Sequence, residues 1–141
     1  MILDIIHGPN LNLLGHRQPE LYGTRTFEDY LHELQETLPS QQIRFFQSNH
    51  EGELIDRMHM VRDDSKGILL NAGAYTHTSI ALVDAILSIG VPVMEIHLSN
   101  IYSRENFRRH SMIAPYCIGS ICGLGLEGYK LALDFMITRF S

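Results

Sequence analysis

Amides, imidazoles and hydroxyls follow the short apolar runs of this 141-residue sequence, and a chemical site could be built from them. Together they would form a polar crevice suited to a small polyhydroxylated ligand. A single asparagine could equally serve a turn or a helix cap, so their concentration is the stronger argument. The polar residues at or just after the ends of the first four apolar runs are, in order, Asn10 and Asn12; Asn49 and His50; Asn71, Tyr75 and His77; and Glu95, His97, Ser99 and Asn100.

A polar segment at about residues 14–25 shows no clear periodicity and could act as a lid over a bound anion. It carries Arg17 and Tyr22 between Gly15 and Gly23. A tyrosine has a pKa of about 10, and a nearby guanidinium lowers that pKa because it favours the phenolate. Chemistry alone therefore permits a tyrosinate base in this segment but does not identify one.

Motifs for several other functions are missing from the sequence. It has no G-x-G-x-x-G, no G-x-x-x-x-G-K, no H-E-x-x-H and no G-x-S-x-G. Gly123 and Gly125 suggest an anion site only weakly, and close packing between a strand and a helix explains them better. These absences argue against a dinucleotide-binding or P-loop protein, a metalloprotease-type metal pair and a serine hydrolase.

Composition and charge narrow the class of protein further. The formal net charge of −5 argues against a general nucleic-acid binder. No apolar run approaches the ~20 residues needed to cross a bilayer, and the N-terminus lacks a signal-peptide pattern. Cys117 and Cys122 are interpreted as core thiols in a reducing compartment, so a cytoplasmic location is expected.

Apolar runs alternate with amphipathic stretches, which predicts an α/β fold with a parallel sheet between helices. The order favours a flavodoxin-like, three-layer domain over residues 1–141, with five strands in the order 2-1-3-4-5. Capping boxes are expected at Thr26 with Asp29 and at Ser48 with Glu51, and a helix end at Gly90. Strands are predicted at 1–6, 43–47, 67–70, 92–97 and 116–121; helices at 26–38, after Ser48, along Ile80, Val83 and Leu87, at 104–110, and along Tyr129, Leu133, Met136, Ile137 and Phe140.

Five segments, in order along nearly the whole chain, resemble the signature of the type II 3-dehydroquinate dehydratases. Any one of them would be weak, but together they are highly specific. They are GPNLNLLGHRQPELYG at 8–23, QSNHEGELID at 47–56, NAGAYTHTS at 71–79, EIHLSNIYSRENFRRHS at 95–111 and GLGLEGYKLAL at 123–133.

The resemblance implies conversion of 3-dehydroquinate to 3-dehydroshikimate by anti elimination of water through an enolate, without a metal, a cofactor or an imine. By motif position, Tyr22 would take the proton beside the ketone and Arg17 would lower the pKa of Tyr22. Asn10 would position a water at the enolate oxygen. His97 would protonate the leaving hydroxyl, and Glu95 would orient His97.

The remaining assignments concern binding and assembly. The resemblance implies that Asn71, Ser99 and the backbone of Leu98 hold the substrate carboxylate and a nearby hydroxyl. His77 and Arg108 would hold the ring hydroxyls. Asp84 would reach the site of a neighbouring subunit, in a homododecamer made of four trimers.

Departures from the family pattern are few, at Gln18, Tyr102, Ser103 and Arg109, and none falls on an assigned catalytic position. Two alternatives remain open at this point. The chain could be another enzyme on the same scaffold, acting on a different cyclic hydroxy acid. It could also be a flavin carrier or a phosphoacceptor protein. A phosphoacceptor protein would require an acidic residue at the end of the third strand, where this sequence has Asn71.

Overall fold

The sheet is parallel and has the strand order expected from the sequence. The computed structural model describes residues 1–16, 20 and 24–141, so the assignments of Arg17 and Tyr22 lie outside it. Each pair of neighbouring strands runs parallel, in the order β2-β1-β3-β4-β5. The strands are β1 Ile2–His7, β2 Gln42–Gln47, β3 Ile68–Asn71, β4 Val93–His97 and β5 Gly119–Cys122.

Helices cover both faces of the sheet, which gives the three layers. From residue 24 onward, the α-helices are α1 Phe27–Thr37, α2 Glu51–Val61, α3 Ile80–Ile89 and α4 Glu127–Phe140. One apolar core lies between the sheet and the pair α2 and α3, and a second lies between the sheet and the pair α1 and α4. Five-residue or shorter 3-10 turns connect the rest, at Leu11–Leu13, Gly73–His77, Ile101–Ser103, Asn106–Arg108 and Ala114–Tyr116.

Local side-chain chemistry explains where several helices begin and end. Thr26 caps α1 by accepting a hydrogen bond from the N–H of Asp29 at 3.2 Å, as predicted. Gly90 ends α3 in the left-handed conformation with φ 71°, also as predicted. The expected capping box of Ser48 with Glu51 is wrong. The Ser48 hydroxyl instead accepts from the N–H of His50, because Ser48 lies two residues before the N-cap position of α2, which is His50.

Two predicted elements near the C-terminal half are shorter than expected. The helix expected at 104–110 is only the turn Asn106–Arg108, because the backbone of Arg104 is extended. The strand expected from Tyr116 begins at Gly119, because the N–H groups of Tyr116 and Cys117 close the 3-10 turn instead of joining the sheet. Neither correction moves a residue assigned to the site.

The predicted apolar stripe of α3 is also wrong in part. Val83 is buried, but Ile80 is 63% exposed and Leu87 is 62% exposed. The face that α3 buries is formed instead by Leu82, Val83, Ala85, Ile86 and Ile89. Two large apolar side chains of α3 therefore face outward. No helix in the described ranges is both long and apolar enough to span a bilayer.

Alternation along the buried strands decides which core each side chain enters. In β1, Leu3 and Ile5 join the core under α1 and α4, while Ile6 joins the core under α2 and α3. His7 has the same parity as Ile5, and its ring packs against Phe27 of α1 with ring centroids 4.3 Å apart. The sheet thus sorts its polar residues between its two faces.

Asp4 is a buried carboxylate in the middle of the sheet, and the sequence analysis did not anticipate it. Its side chain is 1% exposed. Arg44 binds both carboxylate oxygens, with Nε to Oδ1 at 3.0 Å and Nη2 to Oδ2 at 2.7 Å. Arg57 of α2 adds a bond of 3.2 Å to Oδ1. Arg44 also bonds Asp64, and these bonds raise the pKa of the Arg44 guanidinium above its ordinary value.

We expect Asp4→Asn to lower the free energy of unfolding by about 2–3 kcal/mol. The change leaves two guanidinium groups without their shared buried anion. Chemical denaturation measures the effect. The matched control is Asp63→Asn, since Asp63 is exposed and lies 3.6 Å from Arg62, and this change should cost less than about 0.5 kcal/mol. Equal losses in both variants would contradict a special role for Asp4.

Candidate active site

A polar pocket lies beyond the carboxyl ends of β1, β3 and β4, where ligands bind in open parallel sheets. It brings together seven residues that the sequence analysis assigned to the site: Asn10, Asn71, His77, His97, Leu98, Ser99 and Arg108. The other residues of its wall are Pro9, Leu11, Leu14, Gly73, Ala74, Ile101 and Arg104.

The loop after β1 presents Asn10 in a constrained conformation. Asn10 has φ 69°, a left-handed value that asparagine tolerates better than most residues. Its N–H donates to Oδ1 of Asn49 at 3.0 Å. The loop lies flush against the loop after β3, because a Cβ on Gly8 would fall 2.3 Å from the carbonyl oxygen of Ala72. Two backbone loops in contact therefore form one wall of the pocket.

Asn71 at the end of β3 is held from beneath by a chain of hydrogen bonds. Its Nδ2 donates to the hydroxyl of Tyr129 at 3.0 Å, and its Oδ1 accepts from the N–H of Gly73 at 3.3 Å. The Tyr129 hydroxyl lies 2.7 Å from Nε2 of His7. Since that hydroxyl already accepts from Asn71, its own proton is available to donate to His7. All three side chains are buried.

Burial also determines the protonation states of His7 and Tyr129 in this hydrogen-bonded network. It lowers the pKa of His7 to about 3, so the ring is neutral at ordinary pH. Burial likewise raises the pKa of Tyr129 above its ordinary value, and the hydrogen bond from Asn71 opposes this only in part. The chain is therefore a neutral network, and neither His7 nor Tyr129 is suited to acid–base exchange with a ligand.

Glu95 and His97 of β4 lie on the opposite face of the sheet from Asn71. His97 Nε2 donates to Oε1 of Glu95 at 2.5 Å. The other carboxylate oxygen, Oε2, accepts from the hydroxyl of Ser111 at 2.8 Å. That hydroxyl in turn accepts from the N–H of Ala114 at 3.0 Å. Glu95 is thus fixed at both oxygens and can fix the imidazole of His97.

A short segment, residues 110–112, holds both histidines of the pocket. The carbonyl of His110 accepts from Nδ1 of His77 at 2.7 Å. Ser111 holds Glu95, as described above, and Met112 N–H donates to the carbonyl of Thr76 at 2.8 Å. The rings of His77 and His97 are nearly parallel, with 18° between their planes and 6.5 Å between centroids. The spacing of the two imidazoles therefore depends on the 110–112 segment.

Cations border the same pocket. Arg108 forms an ion pair with Glu105 at 3.0 Å, and Arg104 lies 3.9 Å from the same carboxylate. A backbone hydrogen bond and then these two guanidinium groups lower the pKa of Glu105. Two guanidinium groups facing one carboxylate leave a positive balance, which would favour an anionic ligand.

Some assigned residues are not brought to this pocket. Asp84 is exposed on α3 and is not part of the pocket wall. Conversely, four residues in or next to the site are not among those predicted for it: Arg104, Ser111, His7 and Tyr129. Arg104 could have been predicted, because it is a cationic residue in the loop after β4. The hydrogen-bond partners that link the other three residues to the site are distant in sequence, so no local pattern indicates them. No group of three possible metal ligands is found in the ranges 1–16 and 24–141.

Comparison with known proteins gives a consistent result. The family model described as dehydroquinase class II matches residues 1–137. A protein of Dinoroseobacter shibae named 3-dehydroquinate dehydratase is 52% identical, over 95% of this chain and 91% of that protein. Its namesake in Ruegeria pomeroyi is 54% identical, over 97% of this chain and 93% of that protein. The crystal structure of type II dehydroquinase from Butyrivibrio crossotus superposes with TM-score 0.93 at 40% identity and covers 97% of both chains.

The neutral His7 predicts a loss of stability in mild acid. The unfolded state would take up a proton near pH 6.5, whereas the folded state resists protonation down to a pKa of about 3. The contribution of His7 to the free energy of unfolding is therefore fully present above the unfolded-state pKa. It is lost as the pH falls from about 6.5 toward about 3. Between about pH 6 and about pH 5 the loss should be about 1 kcal/mol.

His7→Gln should remove this part of the pH dependence, while exposed His59→Gln should retain it. Denaturation of the three proteins at both pH values measures the difference. An unchanged pH dependence in His7→Gln would contradict the neutral buried state of His7.

Proposed function

The chain belongs to the class II dehydroquinase family, and from this premise we propose that it is a 3-dehydroquinate dehydratase, a hydro-lyase of the shikimate pathway. The reaction would be an anti elimination of water from 3-dehydroquinate through an enolate, giving 3-dehydroshikimate. The observation that carries the proposal is the agreement between the family's motifs and one pocket, which contains seven of the assigned residues.

Tyr22 is the proposed base, and Arg17 is the proposed cation that favours its phenolate. Both assignments rest on the motif that ends in PELYG, since these residues lie outside the described part of the chain. A proton beside a ketone is only moderately acidic, so the base must be strong and yet ionised near neutral pH. A lid at about residues 14–25 would exclude the water that weakens the attraction between the guanidinium and the phenolate.

Asn10 is proposed to hold the water that stabilises the enolate oxygen. Its constrained backbone and its hydrogen bond to Asn49 support this role, because a donor fixed before the reaction needs no reorganisation as charge develops. Its position after β1 also agrees with the motif GPN, on which the assignment is based.

His97 is proposed to protonate the departing hydroxyl, with Glu95 as its orienting partner. The Glu95 carboxylate would stabilise the imidazolium, whose Nδ1–H would then be the proton to donate. The bond of 2.5 Å between His97 Nε2 and Glu95 supports this division of roles. The two residues lie on β4, whereas the proposed base lies between β1 and α1 in the sequence. An anti elimination requires this base and the acid to act on opposite sides of the ring.

The substrate carboxylate is proposed to bind at Asn71, Ser99 and the backbone N–H of Leu98, all in the pocket wall. His77 and Arg108 would bind the ring hydroxyls. In a neutral His77, Nδ1–H is committed to the carbonyl of His110, which leaves Nε2 as a hydrogen-bond acceptor. Neither a metal nor a cofactor is required by this scheme.

Self-association is proposed as well, as a dodecamer of four trimers in which Asp84 completes the site of a neighbouring subunit. The exposed Ile80 and Leu87 flank Asp84 on α3 and support an apolar contact there. Ile80 also lines a depression, together with Met112, Pro115 and Tyr116. Large exposed apolar side chains that share one face are typical of protein interfaces.

The proposed reaction creates a conjugated enone, so ultraviolet absorbance tests it directly. The wild-type protein should give an absorbance rise with 3-dehydroquinate in a buffer that contains a metal chelator. Absence of that rise would overturn the proposed function and would favour another cyclic hydroxy acid as substrate.

In the same assay, Tyr22→Phe should reduce kcat by at least about 1000-fold while retaining most ligand binding, because it removes the base and little contact area. The control is Tyr102→Phe, which removes a hydroxyl from an exposed tyrosine beside the pocket and should leave kcat unchanged. Comparable turnover in Tyr22→Phe and the wild type would exclude Tyr22 as the base.

Sedimentation tests the assembly. The wild type should sediment as twelve copies of the 16.1 kDa chain. Leu87→Glu should form smaller species and lose activity, because a charge would be buried in the α3 contact. Met60→Glu, on an equally exposed apolar residue of α2, is the control and should behave as the wild type. An active wild-type monomer would contradict the proposed completion of the site by Asp84.

A further inference from the structure

We propose that His7 and Tyr129 are positioning residues that fix the Asn71 amide as a hydrogen-bond donor toward the oxygen atoms of an anionic ligand. The inference rests on the proposed function, because it concerns the binding of the substrate carboxylate by Asn71. It adds two buried residues to the site, neither of which lines the pocket.

Two arrangements of protons could satisfy the chain from Asn71 through Tyr129 to His7. In the first, Asn71 Nδ2 donates to Tyr129, and Tyr129 donates to His7 Nε2, so the neutral imidazole carries its proton on Nδ1. In the second, every bond is reversed: His7 Nε2–H donates to Tyr129, and Tyr129 donates to Asn71. The second arrangement requires the amide of Asn71 to be rotated by half a turn.

Gly73 decides between the two arrangements. Its N–H lies 3.3 Å from Oδ1 of Asn71 and needs an acceptor. Rotation of the amide would place an NH2 group against this N–H, so two donors would face each other at a partly buried position. The backbone of the loop after β3 therefore favours the first arrangement, which leaves Nδ1–H of His7 as a buried donor with no hydrogen-bond partner in the described ranges. The protonated nitrogen of His7 reports which of the two arrangements the protein adopts.

The selected arrangement determines what Asn71 offers to a ligand. One hydrogen of Nδ2 bonds Tyr129, and no other hydrogen bond of this nitrogen is found within the described residues. The second hydrogen is thus available to the pocket, which Asn71 lines. A carboxylate or hydroxyl oxygen would accept it, whereas a ligand that offers only donors would be rejected.

The packing of His7 keeps the chain in place. Its ring contacts Phe27 of α1, Phe45 of β2 and Tyr129 of α4, with ring centroids 4.3, 5.0 and 5.4 Å apart. His7 is 0% exposed. With so little room to turn, the imidazole offers Nε2 to Tyr129 at a fixed point, and the Tyr129 hydroxyl in turn fixes Asn71.

Nitrogen NMR of histidine-labelled protein tests the arrangement without any substrate. In the wild type we expect His7 to be protonated on Nδ1 and unprotonated on Nε2. Tyr129→Phe should abolish this fixed tautomer, because Nε2 loses its donor. Protonation of Nε2 in the wild type would overturn the proposal. Failure of the wild type to form the enone would instead remove the proposed function, while the tautomer measurement would still decide the arrangement.

Kinetics tests the consequence for binding. Tyr129→Phe should raise KM for 3-dehydroquinate about fivefold or more and change kcat by less than about twofold, because Asn71 would hold the carboxylate equally in ground and transition states. The matched control is Tyr30→Phe in the same aromatic cluster, since no bond joins Tyr30 to His7 or Asn71 in the ranges 1–16 and 24–141. It should leave KM and the His7 tautomer unchanged.

A second pair of variants keeps the test open if Tyr129→Phe does not fold. His7→Gln retains an acceptor near the position of Nε2 and should keep KM within about twofold of the wild type, whereas His7→Leu removes the acceptor and should raise KM about fivefold. Equal KM values in the wild type and a folded Tyr129→Phe or His7→Leu variant would overturn the positioning role. So would an equal rise of KM in His7→Gln and His7→Leu.

Discussion

Burial of the parallel strands on both faces is the constraint on which the site depends. A strand between two layers of helices must give every polar side chain a partner inside the protein, because water is excluded there. Asp4 meets this requirement with two arginines, Asn71 and Nε2 of His7 meet it through Tyr129, and Glu95 meets it with His97 and Ser111. Nδ1 of His7 has no such partner in the described ranges. Side-chain rigidity at the pocket is therefore a product of the same requirement that makes the fold stable.

The two-residue period of the strands separates the polar residues into two networks. Asn71 and His7 face α1 and α4, and their network is neutral. Glu95 and His97 face α2 and α3, and their network contains a carboxylate paired with an imidazole. The two networks thus reach one pocket, through Asn71 and His97, while lying on opposite faces of the sheet. The pocket therefore contains both the hydrogen-bonded amide of Asn71 and the imidazole of His97, which is paired with a carboxylate.

Much of this architecture could be predicted from the sequence. Apolar runs gave the strands and their order, and polar residues just past each run gave most of the pocket, since the carboxyl ends of parallel strands share one edge. Other features depend on contacts that no local pattern carries. The bond between His7 and Tyr129 joins residues 122 positions apart, and the bond between Glu95 and Ser111 spans 16 positions. One prediction failed for a local reason. The Ser48 hydroxyl accepts a hydrogen bond from the N–H of His50 and therefore does not cap α2.

The left-handed backbone of Asn10 has a consequence for how the pocket could vary. Among the described non-glycine residues it alone has a positive φ, and its N–H is held by the side chain of Asn49. Glycine would relax this backbone but remove the amide, and a β-branched residue would strain it further. The conformational entropy of the Asn10 backbone is consequently lost during folding, before any ligand arrives. Position 10 can therefore diversify very little by single substitutions, and new specificities would have to arise elsewhere on the rim.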